Sequence, residues 1–140
     1  MKILLFTLLG LIPFQAPPAG IAGTWVAEHA GTTFIRLELN VTNQTLAGAI
    51  GTGNLSVDNT GNVIEVTTVP AALTPLYEIV VKGSTITFMR PEGTEAEQFR
   101  LNVLDAERAD LTFLPSEDLL EELKEAGIAA PKPIRLHKIR

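Results

Sequence analysis

Apolar and polar residues alternate with a period of two along most of the chain, and Gly, Asn and Pro residues interrupt the alternation at short intervals. Such alternation is typical of β-strands that bury one face. Residues 33–41 are the clearest example, because Ile35 and Leu37 fall on one face and Arg36 on the other. Turn signals recur every 8–12 residues or so, which is the spacing of all-β folds.

The alternation predicts strands in short segments that end at turn residues: 22–28, 33–41, 45–50, 55–57, 63–69, 77–81, 85–89, 97–104, 108–114 and 134–139. The segment 55–57 is only a stub, so we expect about eight strands in the main sheet. Residues 82–84 and 105–107 are predicted to be hairpin turns.

One segment does not follow the two-residue alternation. Residues 117–126 place Leu119, Leu120 and Leu123 at helical spacing, which predicts a short helix before the last strand. Ser116 is a suitable N-cap and Gly127 a suitable C-terminal stop. The predicted fold is therefore all-β, a single antiparallel up-and-down β-barrel of about eight strands with one short helix, whose apolar stripe packs against the barrel.

The first twenty residues have the pattern of a signal peptide. Lys2 precedes an apolar stretch at 3–12, and small residues follow at 16–20. A membrane anchor or a buried helix is the alternative. The apolar stretch is, however, shorter than a transmembrane helix, which needs about 20 residues. The sequence is compatible with signal-peptide cleavage after Ala16 and with cleavage near residues 19–22. We expect residues 21–140 to form the mature domain, secreted or periplasmic and without stable membrane insertion.

Composition excludes several classes of function. The chain has 140 residues and no cysteine, so thiol catalysis, Cys-ligated zinc and iron–sulfur clusters are excluded. Its formal net charge of −5 argues against nucleic-acid binding. No phosphate-binding loop, nucleophile elbow or metalloprotease motif is present, and we expect no cofactor.

Residues 21–50 carry a resemblance. The stretches IAGTW, TTFIRLELN and LAGAI are similar to the opening strands of streptavidin and avidin, and Gly23, Thr24 and Trp25 resemble the Gly-x-Trp motif of lipocalins. Both groups are calycins, and many uncharacterised secreted bacterial proteins look similar. The resemblance implies a barrel in which Trp25 fills one end, Gly23 permits close packing and a late arginine, Arg135 here, lies near the tryptophan.

Biotin binding does not follow from the resemblance. The avidin-type site is a box of several Trp rings, whereas this chain has one Trp. The position of the Asn expected soon after the Trp is occupied by Ala27 or Glu28. The resemblance therefore implies a similar fold with a different ligand or none.

Few residues are candidates for a metal site or a catalytic site. His29 and His137 lie on the first and last predicted strands, which pair when a barrel closes, and Glu28 is the third candidate for a metal site. Two surface histidines are the favoured alternative, so no metal is predicted. Glu92, Glu95 and Glu97 are explained by a solvated loop. Without a convergent acid–base set we predict no enzyme, and a hydrolase ranks last among the hypotheses.

Two hypotheses for function remain. The first is a binding module that holds a small apolar ligand, with Tyr77 as a polar contact; its predicted lining is Leu37, Leu39, Tyr77, Ile79, Phe88, Phe99 and Phe113. The second is a structural or interaction protein with a filled barrel, which acts through its outer surface on an unidentified protein partner. The bulk of the inward side chains favours a filled core over a hollow lumen.

Overall fold

The computed structural model describes residues 16–130 and 132–139, so residues 1–15 of the predicted signal peptide lie outside the described part. Within that part the chain forms eleven strands and one helix. Their bounds are β1 Gly23–His29, β2 Thr32–Thr42, β3 Thr45–Thr52, β4 Leu55–Val57, β5 Val63–Val66, β6 Thr74–Pro75, β7 Tyr77–Lys82, β8 Thr85–Glu92, β9 Glu95–Val103, β10 Arg108–Leu114, α1 Glu117–Ala126 and β11 Ile134–Ile139.

Nine of these strands form one antiparallel sheet, in the order β6-β3-β2-β1-β11-β10-β9-β8-β7. The edge strands β6 and β7 are consecutive in the chain and are separated only by Leu76, whose N–H donates to the Gly48 carbonyl at 2.9 Å. The two edges are thereby brought together, and the sheet curls into a nearly closed barrel. The predicted all-β antiparallel barrel with a helix before the last strand is confirmed, with nine strands instead of eight.

The additional strand is β6, which the sequence pattern missed. It has two residues, and Pro75 cannot donate a ladder hydrogen bond, so alternation gives no signal there. Beyond it the register shifts between Tyr77 and Val80, and Glu78 has a φ of +49°. This bulge bends the chain where it passes from pairing with β3 to pairing with β8.

The strands β4 and β5 form a separate two-stranded hairpin between β3 and β6. Asp58 orders its turn, since one carboxylate oxygen accepts from the N–H groups of Thr60 at 2.9 Å and Asn62 at 3.0 Å. These hydrogen bonds hold the pKa of the Asp58 carboxyl below its usual range, the bond from the Thr60 hydroxyl having the largest effect. The predicted strand 63–69 ends earlier than expected, at Val66.

The two ends of the barrel differ. We call the end that carries the β1–β2 turn, the β4–β5 hairpin, the β8–β9 turn and α1 the mouth. The opposite end, here the closed end, contains Trp25, which is fully buried and whose indole N–H donates to the Ile21 carbonyl at 3.0 Å. Burying this ring removes more apolar surface from water than any other side chain at that end.

The cation beside Trp25 is Lys138, whereas the resemblance suggested Arg135. Lys138 and Trp25 are direct cross-strand partners, and the ammonium lies 5.7 Å from the ring centre. Arg135 lies three residues earlier on β11 and therefore points to the outer face, where its Nε is 2.5 Å from an Asp110 carboxylate oxygen. Gly23 has a φ of +141°, and a Cβ there would overlap Lys138 Cε, so glycine makes room for the lysine.

The helix has the predicted bounds but not the predicted packing. Ser116 Oγ accepts from the Leu119 N–H at 3.2 Å, and Gly127 ends the helix with a φ of +70°. No residue of α1 is buried, and Leu119 and Leu120 are 45% and 38% exposed. The expected burial of the stripe is wrong: Leu119 and Leu123 border an open groove with Gln98 and Leu114 and do not enter the core.

Replacing Trp25 by Ala should lower the free energy of unfolding by about 3–5 kcal/mol, since it leaves a large void at the closed end. Urea denaturation measures this loss. Ile64→Ala is the control, because Ile64 is 57% exposed and its truncation should change stability by less than about 0.5 kcal/mol. A loss of less than about 1 kcal/mol for Trp25→Ala would contradict the packing described above.

Candidate functional site

Inward side chains pack the barrel from the closed end up to a pair of aromatic rings. Phe88 and Phe99 stack with ring centres 5.3 Å apart, and both are buried. Phe113 packs edge-on against Phe99 at 5.0 Å. The same core contains fully buried aliphatic side chains: Ile35, Leu37, Ile50, Ile86, Leu101, Leu111 and Leu136.

Above the aromatic pair, a cavity of about 400 Å³ opens at the mouth. Its walls come from the end of β3 and the residues after it, from Pro70, Ala72 and Thr74, and from the facing ends of β8 and β9. Phe113 contributes apolar surface, while Arg90, Glu92 and Glu97 contribute charge. The cavity therefore combines an apolar wall with a charged one, and we refer to it as the mouth cavity.

Arg90 is the central residue of this site. It is 7% exposed and is the only polar or charged side chain that is buried in the described part of the chain. It faces inward because the alternation of Ile86 and Phe88 along β8 continues for two more residues. Its Nη1 donates to Thr52 Oγ1 at 2.9 Å, and its Cζ lies 5.3 Å from the centre of the Phe99 ring.

Two carboxylates share one nitrogen of this guanidinium. Nη2 donates to Glu97 Oε1 at 2.5 Å and lies 3.8 Å from Glu92 Oε2. The β8–β9 register places Arg90 directly opposite Glu97, two residues beyond the pair Phe88 and Phe99. The inward alternation that builds the core thus also builds the ion pair.

The electrostatics of Glu97 reflect its crowded position. Burial raises the pKa of the Glu97 carboxyl above its usual range, and the nearby Glu92 adds to the increase, against the opposing effect of Arg90. The Glu97 side chain is 32% exposed and that of Glu92 is 63% exposed. The mouth cavity is therefore lined by one cation and two acids, with the acids nearer to solvent.

The predicted lining residues are spread over several environments. Phe113 alone among them borders the mouth cavity, Ile79 is partly buried against the core, and Tyr77 is 38% exposed. The other four lie in the packed interior: Leu37, Leu39, Phe88 and Phe99. A ligand role for these residues stays a prediction.

Sequence reasoning missed Arg90, Glu97 and Thr52. The predicted strand ended at Met89, one residue before Arg90, and Glu97 was assigned to a solvated acidic run. An available signal was the two-residue spacing of Ile86, Phe88 and Arg90, which carries the inward face past the predicted end.

The histidines lie elsewhere, on the outside of the barrel. His137 Nε2 is 3.5 Å from Glu28 Oε1, and both side chains are about half exposed. His29 ends β1, opposite Thr32. In residues 16–130 and 132–139, no three His, Cys, Asp or Glu side chains are grouped so that they could hold a metal ion.

Comparisons of the chain with protein-family models, with curated proteins and with solved structures find no match. In the part of the chain that is described, no helix has both the length and the apolar character needed to cross a membrane.

The Glu97 carboxyl should titrate above 4.5, the usual value for glutamate, in a ¹³C NMR titration. Glu92→Gln should lower that midpoint, because it removes a like charge beside Glu97. Glu121→Gln serves as the control, since its side chain is exposed on α1 and does not line the mouth cavity. A midpoint at or below 4.5, or one that Glu92→Gln leaves unchanged, would show that the two acids are not coupled as described.

Proposed function

We propose that the protein is a non-enzymatic binding module that holds a small ligand in the mouth cavity. The observation that carries the proposal is the cavity of about 400 Å³ beside the buried Arg90. Small-molecule sites are concave, typically several hundred Å³, and combine apolar walls with a few placed polar groups. Since side chains pack the interior, the ligand sits at the mouth, and its apolar part contacts Phe113 and Pro70.

The arrangement of charge favours recognition over catalysis. General acid–base hydrolysis needs an acid and a base placed on either side of the reacting bond. Here both carboxylates approach the same Arg90 nitrogen, and that nitrogen donates to one of them. Such mutual pairing orients a bound molecule but leaves no group poised as a nucleophile.

We also propose a calycin-type barrel exported from a bacterial cell, either secreted or periplasmic. Its support is the nearly closed antiparallel sheet, the buried Trp25 after Gly23 and the signal-like pattern of residues 1–20. A barrel that binds a small ligand outside the cytoplasm needs no cysteine, provided that burial supplies its stability.

A second candidate function is an interaction protein that acts through its outer surface. The observation in its favour is the exposed apolar side of the helical segment, where Leu119, Leu120 and Ile128 are each 38–45% exposed. Exposed apolar clusters of this kind often mark contact surfaces. Under this hypothesis the mouth cavity would be solvent-filled and without a preferred ligand.

Blocking the cavity tests the first proposal. We expect a mixture of small aromatic fragments to shift the backbone NMR signals of Thr52, Thr74 and Arg90, and not those of the β9–β10 turn. Ala72→Trp should weaken this binding about tenfold or more, because Ala72 lines the cavity and the indole would occupy it.

Ala71→Trp is the matched control, since Ala71 is an exposed neighbour that does not line the mouth cavity. Equal binding by wild type and both variants would contradict the proposal. So would fragment-induced shifts confined to α1, which would favour the outer-surface hypothesis.

A further inference from the structure

We propose that the mouth cavity selects small molecules carrying a protonated amine, which is held between the carboxylates of Glu92 and Glu97. This inference rests on the proposed binding function and adds the chemical class of the ligand. It is carried by the charges of the cavity wall, by the exposure of each charged group and by the burial of Arg90.

The cavity wall has one more acidic residue than basic residues. Its charged residues are Arg90, Glu92 and Glu97, and the remaining lining residues are neutral. One guanidinium thus faces two carboxylates, so the wall carries a net charge of −1 when both acids are ionised. A ligand with one positive charge makes the site neutral, whereas an anion increases the imbalance.

Exposure determines which charges a ligand meets first. Arg90 is more than nine-tenths buried, with one terminal nitrogen committed to Thr52 and the other to Glu97. Glu92 is 63% exposed and Glu97 32% exposed. An entering molecule therefore meets carboxylate oxygens, which accept hydrogen bonds, and an ammonium group can donate up to three.

The burial of Arg90 distinguishes this site from an ordinary acidic surface. The Arg90 Nε has no hydrogen-bond partner within the protein. On the inward face of β8, Arg90 follows two apolar residues, Ile86 and Phe88. Burying a charge with incomplete pairing costs stability, so such residues are expected where function requires them. Arg90 holds Glu97 at the cavity floor, where partial removal from water strengthens attraction to a cation.

The neutral lining defines the rest of the ligand. Phe113, on the strand beside that of Glu97, and Pro70 and Ala72, between β5 and β6, offer apolar contacts. A compact aromatic or aliphatic body attached to the amine suits both the charged and the apolar parts of the lining, and 2-phenylethylamine is a suitable probe. Its neutral analogue 2-phenylethanol and its anionic analogue phenylacetate match it closely in shape.

The amine affinity should depend on pH. The charged groups facing Glu97 are Arg90 and Glu92 from β8, and the facing residue of β3, Thr52, is neutral. Since burial raises the pKa of Glu97, this acid takes up a proton at a higher pH than an exposed glutamate does, and the cavity then loses its excess negative charge. Amine binding should therefore weaken as the pH falls from 7 to 4.5, while alcohol binding should not.

Isothermal titration calorimetry at pH 7 with the three probes tests the inference, with NMR shifts at Thr52 and Thr74 locating the site. The amine should bind about tenfold more tightly than the alcohol, and phenylacetate most weakly. Glu92→Gln should remove most of the amine preference without weakening alcohol binding. Glu121→Gln, the same charge change on an exposed side chain of α1 outside the cavity wall, should retain the preference.

The outcomes separate the two proposals. If the alcohol or the carboxylate binds at the mouth as tightly as the amine, or if Glu92→Gln keeps the preference, amine selection is overturned and the binding function stands. If none of the three probes binds at the mouth, both the binding function and its ligand class are overturned. Glu92 is largely exposed, so its variant is expected to fold.

Discussion

The stack of Phe88 on Phe99 divides the barrel into a packed interior and a mouth, and the remaining features of the site depend on it. The two rings are direct cross-strand partners, so they fix the β8–β9 register. Two residues further toward the mouth, the same register places Arg90 opposite Glu97. A slip of β8 by one residue would turn Phe88 and Arg90 to the outer face, and the ring stack and the ion pair would be lost together.

A buried guanidinium is costly in a barrel of this size, and its surroundings limit the cost. Thr52 and Glu97 accept two of its hydrogen bonds, and Phe99 presents its ring to the cation. Each of these groups comes from a different position on the inward face of β3 or β9. The charged site is thus a continuation of the core and shares its rigidity.

The sequence predicted features that depend on local chemistry. The bounds of α1 follow from Ser116 and Gly127, which act within one turn of the helix. The burial of Trp25 follows from a motif on a single strand. By contrast, the exposure of Leu119 and Leu120 depends on how the helix lies on the barrel, which the pattern along the helix does not contain.

The site was harder to predict because it arises from pairing between strands. In the sequence Glu97 is one of three acidic residues close together, and only the pairing of β9 with β8 places it opposite Arg90. Lys138 lies beside Trp25, and Arg135 does not, because the two residues occupy opposite faces of β11. Strand β6 is too short to show alternation, although its position lets the sheet nearly close.

Side chains fill the barrel below the aromatic pair, whereas the mouth is open to solvent. Water–protein NOE spectroscopy of the ligand-free protein measures this directly, because long-lived internal water transfers magnetisation to nearby methyl groups. We expect no such transfer to the methyl groups of Leu37, Ile50 and Leu101, and clear water contact at Thr52 and Thr74. Strong transfer to the interior methyl groups would reveal a water-filled lumen and contradict the filled core described above.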